Sequence, residues 1–319
     1  MQTLSNYTHV DAKTLDEAVA ALTGGHAYVI AGGTDLIGVM RFHILRDYPE
    51  TLINLKTVAP SLDYIKEEGG MLKIGALTRL EDIAQSDVVK SKFTALAQAA
   101  ERTASPHIRE TGTIGGNICQ HNRCWYFWKE ENRFDCIRKG GDMCYAMAGE
   151  NRYHSIFGAM NACVAVNPSD TAPALVALNA VIVTTKRTIN AENFWDMAIP
   201  GSTVLAANEI VKEIQVPAPA AGIKSAFVKF AIRRSIDFPI VNCAAVIGGN
   251  EARICLNAVH NKPYRATKAE DSIKGKAIDD TSATAAAVAG VSGATALMYN
   301  KYKISVAKGV MKQAILACK

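Results

Sequence analysis

Several common signals are missing from this chain, and each absence narrows its class. Its 35 basic and 30 acidic residues are scattered, and no basic run with interleaved aromatics occurs. A nucleic-acid partner is therefore not expected. Met1 to Asn6 has neither the cationic start nor the apolar run of a secretory leader. No uninterrupted apolar stretch approaches the roughly 20 residues that span a bilayer. The expectation is a cytoplasmic chain with no membrane association. In that reducing compartment its eight cysteines do not read as a disulfide framework. Internal repeats are absent, and 23 glycines and 10 prolines are ordinary usage. With 319 residues, 49% of them hydrophobic, two or three domains are plausible.

What is present is a pair of glycine loops, Ala31-Gly32-Gly33-Thr34-Asp35 and Thr113-Ile114-Gly115-Gly116-Asn117. Adjacent glycines let main-chain N–H groups approach an anion closely and allow positive φ. Two such loops suit the two phosphates of a dinucleotide. Neither loop is a Gly-x-Gly-x-x-Gly fingerprint, and the first lacks the lysine of a Walker loop. Taken singly, each reads equally well as a tight turn.

Periodicity and turn signals outline the elements. Thr14-Leu15-Asp16-Glu17 is a capping-box pattern for a helix over 15–22, followed by a strand over 27–30. A helix over 36–45 and a strand over 51–55 complete a small α/β unit. Glu67-Glu68-Gly69-Gly70 marks a hairpin between strands at 62–65 and 71–74. Thr78 to Glu81 forms a second capping box, and 86–100 reads as one amphipathic helix. Strands are expected at 180–184 and 210–214. Pro217 to Gly222 is the clearest linker. Three β-rich runs at 226–232, 241–247 and 252–259 precede an alanine-rich helical end.

The order of these segments carries a resemblance. Val29 to Leu36, Thr113 to Ile118, Pro168 to Leu175, Phe227 to Arg234 and Ala252 to Val259 together resemble the FAD-binding subunits of molybdenum hydroxylases. The similarity spans nearly the whole chain. It implies an α+β protein: a two-part FAD-binding fold of the vanillyl-alcohol oxidase type (1–57 and 58–221), then an α+β C-terminal domain (222–319). By resemblance, Val29, Ile30, Ala31, Gly32, Gly33, Thr34, Asp35 and Leu36 would cradle the pyrophosphate, with Thr113, Ile114, Gly115, Gly116 and Asn117. Thr103 would line the flavin, Asp170 hold a polar part of FAD, Lys229 sit near the isoalloxazine, and Ile210 or Val211 give an apolar contact. Asp170 could equally cap the helix that follows it.

Cys124, Cys136, Cys144 and Cys163 lie within forty residues, whereas Cys243, Cys255 and Cys318 are dispersed and read as small buried residues. Four thiolates suit Zn2+ or a [4Fe–4S] cube, and the spacing alone selects neither. The resemblance is closest to the subset with an inserted iron–sulfur loop, as in the β subunit of 4-hydroxybenzoyl-CoA reductase. It implies a [4Fe–4S] insertion over about 119–165, with Cys119 competing with Cys163 as fourth ligand. Trp125 to Trp128 would keep water from the cluster, and Arg123, Arg138 and Lys139 would offset its charge or merely solvate the loop. No catalytic residue is expected in this chain. The implied function is an electron-transfer subunit serving a molybdopterin-binding large subunit and a [2Fe–2S] small subunit, with NAD or a ferredoxin-like carrier as outlet. The alternatives are a stand-alone flavin oxidase and a zinc-stabilised assembly subunit.

Overall fold

The computed structural model describes residues 4–23 and 25–319. The opening residues 1–3, used above in judging the leader, lie outside the described residues. The N-terminal unit is a three-stranded parallel sheet, ordered β1 (Thr8–Asp11), β3 (Thr51–Asn54), β2 (Ala27–Ile30). Helix α1 (Leu15–Leu22) buries Ala18 and Leu22 in the same apolar cluster as Ile53. Thr14 Oγ1 accepts from the Glu17 N–H, while Glu17 Oε2 accepts from Lys13 N–H rather than from the cap residue. Helix α2 (Leu36–Arg41) ends four residues short of the expected limit, because the chain reverses at His43, where φ is +47°.

The second unit is built on a five-stranded sheet. Its order is β4 (Ile65–Glu68), β5 (Met71–Gly75), β10 (Val211–Pro217), β6 (Val181–Thr184), β7 (Thr188–Asn190). Gly69 and Gly70 turn the β4–β5 hairpin at φ +60° and +75°, conformations that only glycine adopts without strain. Helices α3 (Leu80–Gln85), α4 (Asp87–Lys92), α5 (Thr94–Glu101), α6 (Pro106–Arg109) and α7 (Ile114–Cys119) lie between β5 and the cysteine segment. The capping expected of Thr78 does not occur: its hydroxyl donates to the Tyr64 carbonyl and accepts from the Tyr64 N–H. The helix expected over 86–100 is two helices, broken at Phe93 (φ −125°, ψ 46°). The Phe93 ring is fully buried in the main core, and the break turns it there.

The cysteine segment contains a 3-10 turn at Ile137–Lys139 and one short α-helix, α8 (Tyr145–Ala148), and leads to α9 (Thr171–Ala177). A small hairpin of β8 (Trp195–Ala198) and β9 (Gly201–Thr203) precedes β10.

The C-terminal unit is an antiparallel meander of β11 (Lys224–Phe230), β12 (Val241–Gly248), β13 (Glu251–Asn257) and β14 (Tyr264–Arg265), followed by α10 (Thr267–Ile273), α11 (Asp280–Gly290) and α12 (Tyr302–Leu316). β12 is buried on both faces. Ala244 and Val246 join the core of the second unit, whereas Cys243, Ala245 and Ile247 join the core beneath α10–α12. This period-two division is what a strand sandwiched between two helical layers requires. The three dispersed cysteines are buried, as expected.

Candidate flavin cavity and cysteine cluster

The first glycine loop packs against the main chain just ahead of the second. A Cβ on Gly32 would stand 2.1 Å from the Thr111 carbonyl oxygen, and one on Gly115 2.7 Å from that of Ala76. Close backbone approach explains these two glycines, while Gly33 is fixed by its φ of +70°. Both loops form one side of a cavity of about 630 Å3, within the range of cofactor sites. Val29 through Leu36 line it, with Thr113, Gly115, Gly116 and Ile210. The opposing wall is Ala198 to Thr203 together with Leu205 to Ala207, which the sequence did not flag. Those residues carry no loop signature of their own; only the β8–β9 hairpin brings them there.

Five of the expected positions do not line this cavity. Ile114 is core, and Thr103 donates its hydroxyl to the Ala99 carbonyl. Asn117 Oδ1 accepts from the hydroxyls of Ser169 at 2.6 Å and Thr171 at 2.7 Å. Asp170 does not cap α9; its carboxylate accepts from Lys229 Nζ at 2.7 Å and from Asn242 Nδ2 at 2.7 Å. Burial pushes the Asp170 carboxyl up, and the Lys229 ammonium opposes that rise. Lys229 is buried as well and also donates to the Arg102 carbonyl at 2.9 Å. The second loop is therefore tied through α9 to the C-terminal sheet by a buried polar network.

An anionic ligand needs unengaged donors. In the second loop the N–H of Gly115 goes to Ala76, that of Gly116 to Thr113 Oγ1 and that of Asn117 to the Thr113 carbonyl. Among the described residues, the N–H groups of Gly32, Gly33, Thr34 and Asp35 donate to no other group of the chain. The first loop supplies the free cradle, and the second supplies the wall that shapes it. This donor set suits a phosphate, and the cavity residues fit a dinucleotide.

Residues 5–219 match the family described as FAD binding domain in molybdopterin dehydrogenase, and residues 226–318 match the CO dehydrogenase flavoprotein C-terminal domain. This chain belongs to that family of FAD-binding oxidoreductase subunits. The aldehyde oxidoreductase FAD-binding subunit PaoB of Escherichia coli (strain K12) is 33% identical over 279 residues, 83% of this chain and 86% of the relative. The carbon monoxide dehydrogenase medium chain of Hydrogenophaga pseudoflava is 29% identical over 286 residues, 88% of this chain and 84% of the relative. A solved structure of carbon monoxide dehydrogenase from the same organism superposes with a TM-score of 0.77 at 28% identity. It covers 99% of this chain and 98% of that one. The mixed α/β flavin-binding fold with its C-terminal domain is thus that of the medium chains. Among the described residues, no helix is long and apolar enough to cross a membrane.

The cysteines gather beside the cavity. Cys124 packs with Cys136 and Phe127 on one side and with Cys163 and Ile137 on the other. Its thiol feels both other cysteines, and burial pushes it up to about 12. Cys144 stands on the adjoining turn, where the Met143 carbonyl accepts from the Ile137 N–H. Cys119 instead lines the flavin cavity from α7. Among the described residues, no three His, Cys, Asp or Glu side chains converge tightly enough to hold one metal ion.

Two cations are buried in this group. Arg138 Nε donates to Cys163 Sγ at 3.4 Å, while its Nη2 has no partner. Lys139 Nζ is buried without a hydrogen bond, 5.1 Å from the Phe127 ring centroid. Burial lowers its pKa, against the pull of Cys136, Asp135 and Cys124. Neither residue merely solvates the loop. Arg123 links the two sites: its guanidinium pairs with Asp35 at 2.5 Å and lies between the rings of Trp128 and Phe238. Beyond it, a second cavity of about 350 Å3 is lined by Cys124, Trp125 and His154.

Proposed function

We propose that this chain is the FAD-containing electron-transfer subunit of a multisubunit molybdenum hydroxylase, and that Cys124, Cys136, Cys144 and Cys163 hold an additional [4Fe–4S] cluster. The observation carrying the flavin part is the first glycine loop, whose residues Gly32 to Asp35 line a dinucleotide-sized cavity with four N–H groups that donate to no other group of the chain. On this reading residues 1–57 and 58–221 are the two parts of the flavin unit, and 222–319 is the closing domain. Bound FAD supplies a carrier that exchanges two electrons with a nicotinamide and one at a time with iron–sulfur centres.

The chain's own residues do the holding. Gly32 to Asp35 would bind the pyrophosphate through main-chain donors. Ile210 and Val211 give the cavity an apolar edge. The Asp170–Lys229 pair holds a fixed cation outside the cavity lining, and Thr103 lies outside it as well.

Two features support the cluster. Cys124, Cys136 and Cys163 lie within electrostatic reach of one another, with Cys144 on the adjoining turn. Two buried cations with unpaired donors stand ready to offset thiolate charge. The position of Cys163 against Arg138 favours it over Cys119 as the fourth ligand.

The partners on this reading are a molybdopterin-binding large subunit and a [2Fe–2S] small subunit, with electrons leaving to NAD or a ferredoxin-like carrier in the cytoplasm. The named relatives are likewise a FAD-binding subunit and a medium chain. Composition of anaerobically purified protein tests the proposal. Flavin absorbance above a broad iron–sulfur shoulder is expected. Flavin without iron would leave the flavin subunit and remove the cluster, and colourless protein containing zinc would leave an assembly subunit.

A further inference from the structure

The returning limb of the cysteine insertion is fastened to the C-terminal unit. The Ile156 N–H donates to the Val259 carbonyl at 2.9 Å, and the Tyr299 N–H to Asn151 Oδ1 at 2.9 Å. Asn300 Nδ2 donates to the carbonyls of His154 at 3.2 Å and Ser155 at 2.9 Å. Lys303 Nζ donates to those of Tyr153 at 3.0 Å, His154 at 2.9 Å and Ala258 at 2.7 Å.

Lys303 is an unusual residue for that task. It occupies the buried stripe of α12 with Ala307, Val310 and Met311. Its ammonium is completely buried, and burial pushes its pKa down to about 7. Its hydrogen bonds are to main-chain oxygens, so it acts as a backbone clamp. What the clamp fixes is the main chain on either side of His154.

The His154 ring is buried, with Nε2 3.2 Å from Cys124 Sγ. Its Nδ1 is buried without a partner. A proton on Nδ1 alone would be an orphaned buried donor, a rare and costly state. A proton on Nε2 points at the sulfur.

We infer that His154 donates a hydrogen bond from Nε2 to the Cys124 sulfur of the iron–sulfur site and sets its reduction potential, with Lys303 and Asn300 as positioning residues. This rests on the cluster proposed above. Hydrogen bonds to cluster sulfurs are among the determinants of potential. A donor stabilises the electron-rich reduced form more than the oxidised form, so His154 raises the potential.

The test is a potentiometric titration of the cluster signal by electron paramagnetic resonance, with iron content and circular dichroism measured on the same samples. In His154→Phe, iron is expected to be retained and the potential to become more negative. A tenfold loss of electron affinity would read as about 59 mV for a one-electron couple. His154→Gln keeps an N–H donor and should recover part of the shift. Lys303→Met, which leaves the ring in place and removes the clamp, should move the potential in the same direction. Full iron with an unmoved potential in His154→Phe would overturn the inference alone. Loss of iron in both His154 variants with native dichroism would make His154 a ligand and overturn its role as a donor. Iron-free wild-type protein would sink the cluster reading, and this inference with it.

Discussion

Gly32 and Gly116 look alike in the sequence, yet they answer to different constraints. A methyl on Gly32 meets the Thr111 carbonyl at 2.1 Å, and main chain cannot swing aside. One on Gly116 meets only the Thr113 hydroxyl at 3.2 Å. Gly32→Ala should therefore displace the first loop, cost about 1–3 kcal/mol as an overpacking change and abolish flavin retention. Gly116→Ala should keep most of its flavin. Flavin absorbance after gel filtration, read beside thermal unfolding, separates the two. His260 makes a pH prediction. Burial and Lys262 lower its pKa from 6.5 to about 4. Between those values the unfolded chain binds more protons than the folded one, so stability falls as pH drops from 6.5 through about 4. His260→Gln should flatten that slope in melting temperature against pH.

At the level of elements, β11, β12 and the start of α9 are held by a buried ion pair. Side-chain exposure is 4% for Lys229 and 3% for Asp170. Removing one member leaves an uncompensated buried charge, so Lys229→Met should cost about 3–5 kcal/mol. The Lys229→Met/Asp170→Asn double variant should cost less than the sum of the single changes. Urea midpoints for the cycle measure this. Strands such as β2, β6 and β12 were legible because their apolar runs are bounded by turn residues. The first arm of the Gly69–Gly70 hairpin, expected at 62–65, instead lies at Ile65–Glu68, because the two glycines alone make the turn and Glu67 and Glu68 join the strand. The helix over 86–100 was misread because its periodicity continues through Phe93; only the tertiary demand to bury that ring breaks it. Thr78 was misread as a cap because nothing local reveals that Tyr64 engages its hydroxyl. The loop half of the cavity was legible from glycine pairs, but the wall at Ala198 to Ala207 and the imidazole at His154 were not. Both reach their sites through long-range packing that no short spacing encodes.

Across the whole molecule, three units share one arrangement. The first contributes the free N–H cradle, the second the opposing cavity wall, and the C-terminal sheet anchors both α9 and the returning limb of the cysteine insertion. The cavity and the thiols are neighbours because Asp35, Arg123 and Cys124 connect them directly. The central claim is that the first glycine loop, packed against the main chain just ahead of the second, creates a single binding site for FAD. Titration of flavin-free protein with FAD, followed by quenching of flavin fluorescence, tests it most directly. Saturable binding of one FAD per chain by the wild type, lost in Gly32→Ala and largely kept in Gly116→Ala, is the predicted result. Absence of binding by the wild type, or equal binding by the wild type and Gly32→Ala, would contradict it.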